Sequence, residues 1–207
     1  MLAIFFTTLL ISFIGSLPFG PINLVLIDLT INYRLRSAYG FALAAALVEI
    51  AQSFLALWGS SWLWQLIHQS IWIKLAGFVF FLILGMVFFF RKEKGNTLSI
   101  ENSQKSFFLK GLVVAALNPQ AIPFWVIVLT FLSNASILDV TAESPILYIV
   151  SFNVGAAFGK LLALLLFGIL SEYIMVRSSF IRHYINRIIG VILIGIGVFQ
   201  GILLLFT

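Results

Sequence analysis

Two ionisable side chains, Glu49 and Lys160, lie near the middle of long apolar runs of the sequence. A charged group at the centre of a bilayer costs at least ~2.5 kcal/mol on insertion scales. Such a group therefore faces the interior of a helix bundle, finds a partner or changes its protonation state. Glu49 and Lys160 are candidates for proton or ion coupling.

Each charge belongs to a polar or small-residue stripe, because residues three or four positions apart share a helical face. Glu49 is followed at these spacings by Gln52 and Ser53, and Lys160 is preceded seven residues earlier by Asn153. Two structural alternatives remain open at this stage. Glu49 and Lys160 could form an ion pair that only pins two helices together, or the long lysine side chain could extend to the membrane interface.

Proline interrupts two of the apolar runs near their midpoints. The first run contains Pro18 and the sequence Gly20-Pro21, and the fourth contains Asn118-Pro119. Proline lacks a backbone N–H and blocks the carbonyl of residue i−4, so each break frees polar groups that hydrocarbon cannot satisfy. A simple packing kink is the alternative for either break alone. Breaks at matching places in two halves favour a binding site at the midplane. The predicted binding residues are Pro18, Gly20, Pro21, Asn23, Asn118, Pro119, Gln120 and Asn153.

The elements that position these residues are predicted to be six membrane-spanning helices. Crossing ~30 Å of hydrocarbon takes about 20 helical residues, and the chain has six runs of that length. The runs are apolar all round, whereas spanning strands alternate apolar and polar residues. The prediction is an all-α polytopic membrane protein with spans at residues 2–31, 38–58, 71–90, 107–132, 146–170 and 188–206.

The basic residues predict the orientation of these spans. The first, third and fifth loops, with the residues that flank them, hold ten of the twelve Lys and Arg residues. Basic loops stay on the cytoplasmic side, so both termini are expected on the outer, periplasmic face. Two sets of three helices then enter the membrane from opposite sides, as inverted repeats. The predicted division of this single transporter domain is a first repeat over 1–92, a cytoplasmic loop over 93–106 and a second repeat over 107–207.

Several kinds of site are disfavoured by composition. The sequence has no cysteine, which excludes disulfides, thiolate metal sites and dithiol redox chemistry. The net charge of +5 is explained by the loops, so no nucleic-acid partner is expected. His68 and His183 are predicted to lie in loops on opposite sides of the membrane. No metal, cofactor or catalytic residue is predicted, and the chain is not expected to be an enzyme.

The chain resembles the LysE/RhtB family of bacterial amino-acid exporters. The resemblance rests on Gly20-Pro21 in the first span, an acidic residue in the middle of the second, and the stretch from Phe108 and Gly111 to Asn118-Pro119 and Phe124. It implies export of amino acids or related metabolites across the inner membrane, driven by an ion gradient that is usually of protons. The chain departs from the family pattern at three positions. It has Phe19 in place of proline, Glu49 in place of aspartate and Gln120 in place of lysine.

The resulting hypothesis is a multi-pass secondary transporter of the cell inner membrane, exporting amino acids or related small metabolites with proton coupling. Its expected partners are a small-molecule substrate and the lipid bilayer, with a homodimer left open. The alternatives are an exporter of metal ions or other small solutes, a membrane scaffold that transports nothing, and a membrane-embedded enzyme.

Overall fold

The computed structural model confirms the all-helical class for the part of the chain that it describes. It describes residues 1–18, 20–33, 35–69, 75, 78–79, 82–83, 85–87, 89–90, 104–118, 120–177, 187–188, 190–195, 198–199 and 201–202. Six helices have defined bounds within these ranges: α1 Leu2–Gly15, α2 Pro21–Tyr33, α3 Leu35–Gln69, α4 Gln104–Ala116, α5 Ala121–Asn134 and α6 Ile146–Arg177. Helical residues also recur between 75 and 89 and between 187 and 202.

Two of these helices are long and apolar enough to cross a membrane unbroken. They contain the segments Ala38–Gly59, of 22 residues, and Ile146–Tyr173, of 28 residues. Helices α4 and α5 form a third span if the pair is counted together, bent by 57° at its break. The six-span count and the periplasmic position of both termini remain predictions.

The same order of elements occurs twice along the chain. Helices α1 and α2 are separated by residues 16–20 and followed by the long α3, while α4 and α5 are separated by residues 117–120 and followed by the long α6. The sequence has proline at both interruptions. Pro21 begins α2, at a helix position where the missing N–H would have no intrahelical partner. Pro119, in the second break, lies outside the described residues.

Two predicted boundaries differ from the structure. Helix α3 continues to Gln69, beyond the predicted span end at residue 58, so the expectation that His68 lies in a loop is wrong. No proline occurs between residues 58 and 69 to end the helix there, and polar side chains alone do not end one. Helix α4 begins at Gln104, inside the predicted loop 93–106.

Helices α1 and α6 run in the same direction in close contact. A β-carbon on Gly155 would lie 2.6 Å from the carbonyl oxygen of Phe5, and one on Gly159 would lie 2.7 Å from the Ser12 β-carbon. The Ser12 hydroxyl donates to the carbonyl of Ala156 at 2.6 Å. The spacing Gly155-x-x-x-Gly159 thus brings the two backbones together, as small residues do in membrane helix pairs.

Helices α3 and α4 also run in the same direction, and they approach through one glycine. A β-carbon on Gly111 would lie 2.6 Å from the carbonyl oxygen of Phe41. Closer to the carboxyl ends of both helices, the Gln52 side chain on α3 donates a hydrogen bond to the Ala115 carbonyl on α4. In the first half of the chain, the long helix α3 contacts α4, the first helix of the second half. In the second half, the long helix α6 contacts α1, the first helix of the first half, so the two contacts correspond.

The long helices α3 and α6 cross in opposite directions, and the polar centre of the molecule lies at this crossing. One group of buried apolar side chains packs on one side of it, around Leu24, Phe41 and Leu164. A second group, around Trp125 and Phe152, packs on the other side. Apolar packing on both sides fixes the two helices where Glu49 and Lys160 meet.

Candidate functional site

Glu49 and Lys160 form a buried ion pair between α3 and α6. Lys160 Nζ lies 3.0 Å from Glu49 Oε2, and the two side chains are 10% and 3% exposed, respectively. The lysine is therefore paired, and its side chain does not extend to an end of the helix. Because both side chains also border a cavity, the pair is placed where a ligand could reach it.

The second oxygen of Glu49 accepts a hydrogen bond from Trp125. The indole Nε1–H donates to Glu49 Oε1 at 2.6 Å, and Trp125 is fully buried. The carboxylate thus has one partner on α5 and another on α6. Trp125 was not among the predicted site residues. The only signal available was that a buried indole N–H must find an acceptor, and Glu49 was the one carboxylate predicted at that depth.

A cavity of about 540 Å³ lies beside the ion pair. Its volume is within the range of about 300–1,000 Å³ that is usual for small-molecule sites. It is bordered by both breaks, by the ion pair and by two aromatic rings. The lining residues are Gly15, Ser16, Pro18, Gly20, Pro21, Ile22, Asn23, Glu49, Asn118, Gln120, Ala121, Phe124, Lys160 and Phe199.

The two helix breaks face each other across this cavity. A β-carbon on Gly20, in the first break, would lie 4.0 Å from Oε1 of Gln120, in the second. Phe124, one turn past the second break, packs its ring against Gly15 at the end of α1. The two interruptions, a hundred residues apart in sequence, therefore form one site.

Asn23 satisfies the free carbonyls of the first break. Its Nδ2 donates to the Ser16 carbonyl at 2.7 Å and to the Pro18 carbonyl at 2.9 Å. These carbonyls belong to the residues that leave the helical hydrogen-bond pattern between α1 and α2. Asn23 therefore stabilises the shape of the break while bordering the cavity.

Gln52 has the corresponding role at the second break. Its Nε2 donates to the Ala115 carbonyl at 2.9 Å. Ala115 is four residues before Pro119, whose missing N–H would otherwise have supplied that bond. The Asn118 backbone N–H donates to this carbonyl at 3.1 Å, and the Gln52 side chain, from another helix, adds a second donor. Asn118 contributes locally, since its Oδ1 accepts from the Gln120 backbone N–H at 3.3 Å.

Asn153 lies away from the cavity, although it was predicted as a binding residue. Its Oδ1 accepts from the Ser53 hydroxyl at 2.6 Å, and its Nδ2 donates to the Ile149 carbonyl at 2.8 Å. The side chain thus joins α6 to α3. Asn153 shares a side of α6 with Lys160, but its side chain contacts Ser53 and it is not among the residues that line the cavity.

Most of the other predicted site residues lie around the same cavity. Those that line the cavity are Pro18, Gly20, Pro21, Asn23, Glu49, Asn118, Gln120 and Lys160. Pro119 lies outside the described residues, so its predicted role stays a prediction. Within the described ranges, no three His, Cys, Asp or Glu side chains lie close enough together to hold a metal ion.

The cavity is lined by one negatively charged and one positively charged side chain, Glu49 and Lys160, and lies among largely apolar helices. Carboxamides of Asn23, Asn118 and Gln120 border the same cavity and can exchange hydrogen bonds with a polar ligand. Phe124 and Phe199 supply apolar surface. Such a site suits a small molecule that carries an ammonium and a carboxylate together with an apolar part.

Comparison with known proteins identifies a family. The family model described as LysE type translocator matches residues 13–203, which is most of the chain. No curated protein and no solved structure matches the chain. The match includes both breaks, the ion pair and Trp125.

Proposed function

The chain belongs to the LysE type translocator family, and we propose that it is a secondary active transporter that exports amino acids or related small metabolites across the bacterial inner membrane. The family and the apolar helices make it a membrane translocator. Beyond this, we propose the substrate class, the coupling to protons and the location in the inner membrane. The observation that carries the proposal is the Glu49–Lys160 ion pair at the edge of a cavity formed by two broken helices.

The ion pair supports a zwitterionic substrate. The ammonium of an amino acid would compete with Lys160 for the Glu49 carboxylate, and its carboxylate would compete with Glu49 for the Lys160 ammonium. Such an exchange replaces one pair of charges by another, so no net charge is left in the low-dielectric interior. Carboxamides at the two breaks would hydrogen-bond the same groups.

Proton coupling is proposed at Glu49. A carboxyl group that gives up Lys160 must find another cation or take up a proton, because an unpaired buried charge is strongly unfavourable. Substrate ammonium and proton would therefore occupy Glu49 in turn, and while Glu49 is protonated Lys160 would be paired with a carboxylate or another small anion in the cavity. Exchange of one for the other couples outward movement of substrate to inward movement of a proton.

Alternating access is proposed to occur between two inverted repeats. The parallel contacts of α1 with α6 and of α4 with α3, with the opposite crossing of α3 and α6, support this symmetry. Discontinuous helices at the interface between such repeats are a recurring plan for transport sites. Six spans with both termini on the periplasmic face would complete it.

Counterflow in proteoliposomes tests the proposal. Vesicles loaded with a mixture of unlabelled amino acids should take up labelled amino acids when the protein is present, and Glu49→Gln should abolish the uptake. Glu143→Gln is the matched control, because Glu143 is exposed. Metabolite profiling of the medium from cells with and without the protein should identify the exported compound. No counterflow and no difference in the medium would contradict the proposal.

A further inference from the structure

Trp125 links the helix after the second break to the ion pair. It is on α5, one turn past Ala121, and its indole N–H reaches Glu49 Oε1 on α3. We infer that Trp125 is a positioning residue for Glu49, holding one carboxylate oxygen so that only the other is open to exchange between Lys160 and the substrate ammonium. The inference rests on the proposed function and assigns a role to a residue that does not line the cavity.

The chemistry of the indole suits this role. An indole N–H is a donor without an acceptor function, and it carries no charge. Its bond to Oε1 therefore survives whether Glu49 is paired with Lys160, paired with a substrate or protonated on Oε2. A charged donor at the same place would instead compete with the substrate ammonium.

Trp125 is itself held rigidly by aromatic neighbours. Its ring meets Phe124 at 5.1 Å between centroids with a 74° interplanar angle, and Phe152 at 5.2 Å with a 70° angle. Both are edge-to-face contacts, the favoured arrangement for buried rings. Phe124 also borders the cavity and Phe152 belongs to α6. These two ring contacts restrict rotation of the Trp125 side chain away from Oε1.

Loss of the indole donor has a specific consequence for substrate binding. Without it, both carboxylate oxygens become available to Lys160, and the substrate ammonium faces a stronger competitor. The KM for substrate should rise, while the maximum rate per folded molecule changes little. A residue that only filled space would instead lower the amount of folded protein when substituted, with the KM unchanged.

The first test compares Trp125→Phe with Trp58→Phe in proteoliposomes, using the amino acid that exchanges fastest. Trp58 is 69% exposed on α3 and serves as the matched control. Trp125→Phe should raise the KM severalfold, because Lys160 can then contact both carboxylate oxygens of Glu49, and Trp58→Phe should leave the KM unchanged. If Trp125→Phe does not fold, 3-benzothienylalanine at position 125 removes the N–H and keeps the ring shape. An unchanged KM would overturn the inference.

The second test does not depend on transport. With Trp58, Trp62, Trp64 and Trp72 replaced by phenylalanine, Trp125 is the only tryptophan left. Its ultraviolet resonance Raman band for hydrogen bonding at the indole nitrogen should shift in Glu49→Ala and stay in place in Glu143→Ala. An unshifted band in Glu49→Ala overturns the inference. A shifted band in a protein that exchanges no amino acid supports the positioning role and refutes only the proposed function.

Discussion

Lys160 Nζ lies 3.0 Å from Glu49 Oε2, and this ion pair joins the two longest helices at the edge of the cavity. A pair in this position has two possible roles, which differ in what substitution should do. A pair that only pins helices contributes stability and nothing else. A pair that also exchanges partners with a substrate is required for transport even when stability is restored by other means.

The first prediction separates single from double substitution of the ion pair. Lys160→Met leaves the buried Glu49 carboxylate unpaired, which should lower the free energy of unfolding by about 3–5 kcal/mol. The double variant Glu49→Gln/Lys160→Met removes both charges and should recover most of that loss. Thermal unfolding in detergent measures both. A double variant as unstable as the single one would show that the cost lies in packing and not in charge.

The second prediction concerns the contact between α1 and α6. In Gly159→Ala the new methyl group would press on the backbone carbonyl of Leu9, which cannot move aside without separating the helices. The expected loss is about 1–3 kcal/mol of unfolding free energy, as for other overpacked sites. Gly195→Ala is the control, since no atom lies within 4 Å of its β-carbon position. Equal stability of the two variants, measured by denaturant unfolding in detergent, would rule out the close approach.

The third prediction concerns the carbonyls of the first break. Asn23→Leu removes the side-chain amide that donates to the carbonyls of Ser16 and Pro18, so each carbonyl loses this hydrogen bond. Unfolding free energy should fall by about 1–3 kcal/mol, since two hydrogen bonds between part-buried groups are lost at about 0.5–1.5 kcal/mol each. Asn134→Leu, at the exposed end of α5, should change it by less than about 0.5 kcal/mol. A similar, small effect at both positions would contradict the role given to Asn23.

The fourth prediction uses the absence of native cysteine. In Gly20→Cys the new side chain fits, because its β-carbon has no neighbour closer than 4.0 Å. A hydrophilic methanethiosulfonate reagent should modify it, and a transported amino acid should slow the reaction by filling the cavity. Ala163→Cys should stay unmodified, since Ala163 is fully buried. A Gly20→Cys protein that resists the reagent, or reacts equally fast with substrate present, would place Gly20 outside the site.

The sequence predicted the residues whose chemistry is unusual for their depth. Glu49 and Lys160 are conspicuous in apolar runs, and the structure brings both to the cavity edge. Counting back four residues from Pro119 would have shown that the Ala115 carbonyl lacks its usual helical donor, but nothing in the sequence indicated that Gln52 would donate to it. That bond depends on the close approach of α3 and α4 at Gly111, which is a property of the packed molecule.

Trp125 and Asn153 show the limits of reading a single helix. A tryptophan in an apolar run gives no sign of whether its N–H meets a carboxylate or another acceptor. Asn153 shares a side of its helix with Lys160, yet it faces Ser53 and not the cavity. Helical periodicity predicts which residues lie on one side of a helix, while the crossing angle of α3 and α6 decides which of them reach the same space.

The most direct test of the central claim is counterflow by the double variant Glu49→Gln/Lys160→Met, with the amount of folded protein matched to wild type. Loss of two contacts with charged groups, at about 1.5–3 kcal/mol each, corresponds to a hundredfold or greater loss of exchange. We expect a folded double variant that exchanges amino acids at less than about 1% of the wild-type rate. Exchange close to the wild-type rate would contradict it, and would leave Glu49 and Lys160 as a pair that only holds two helices together.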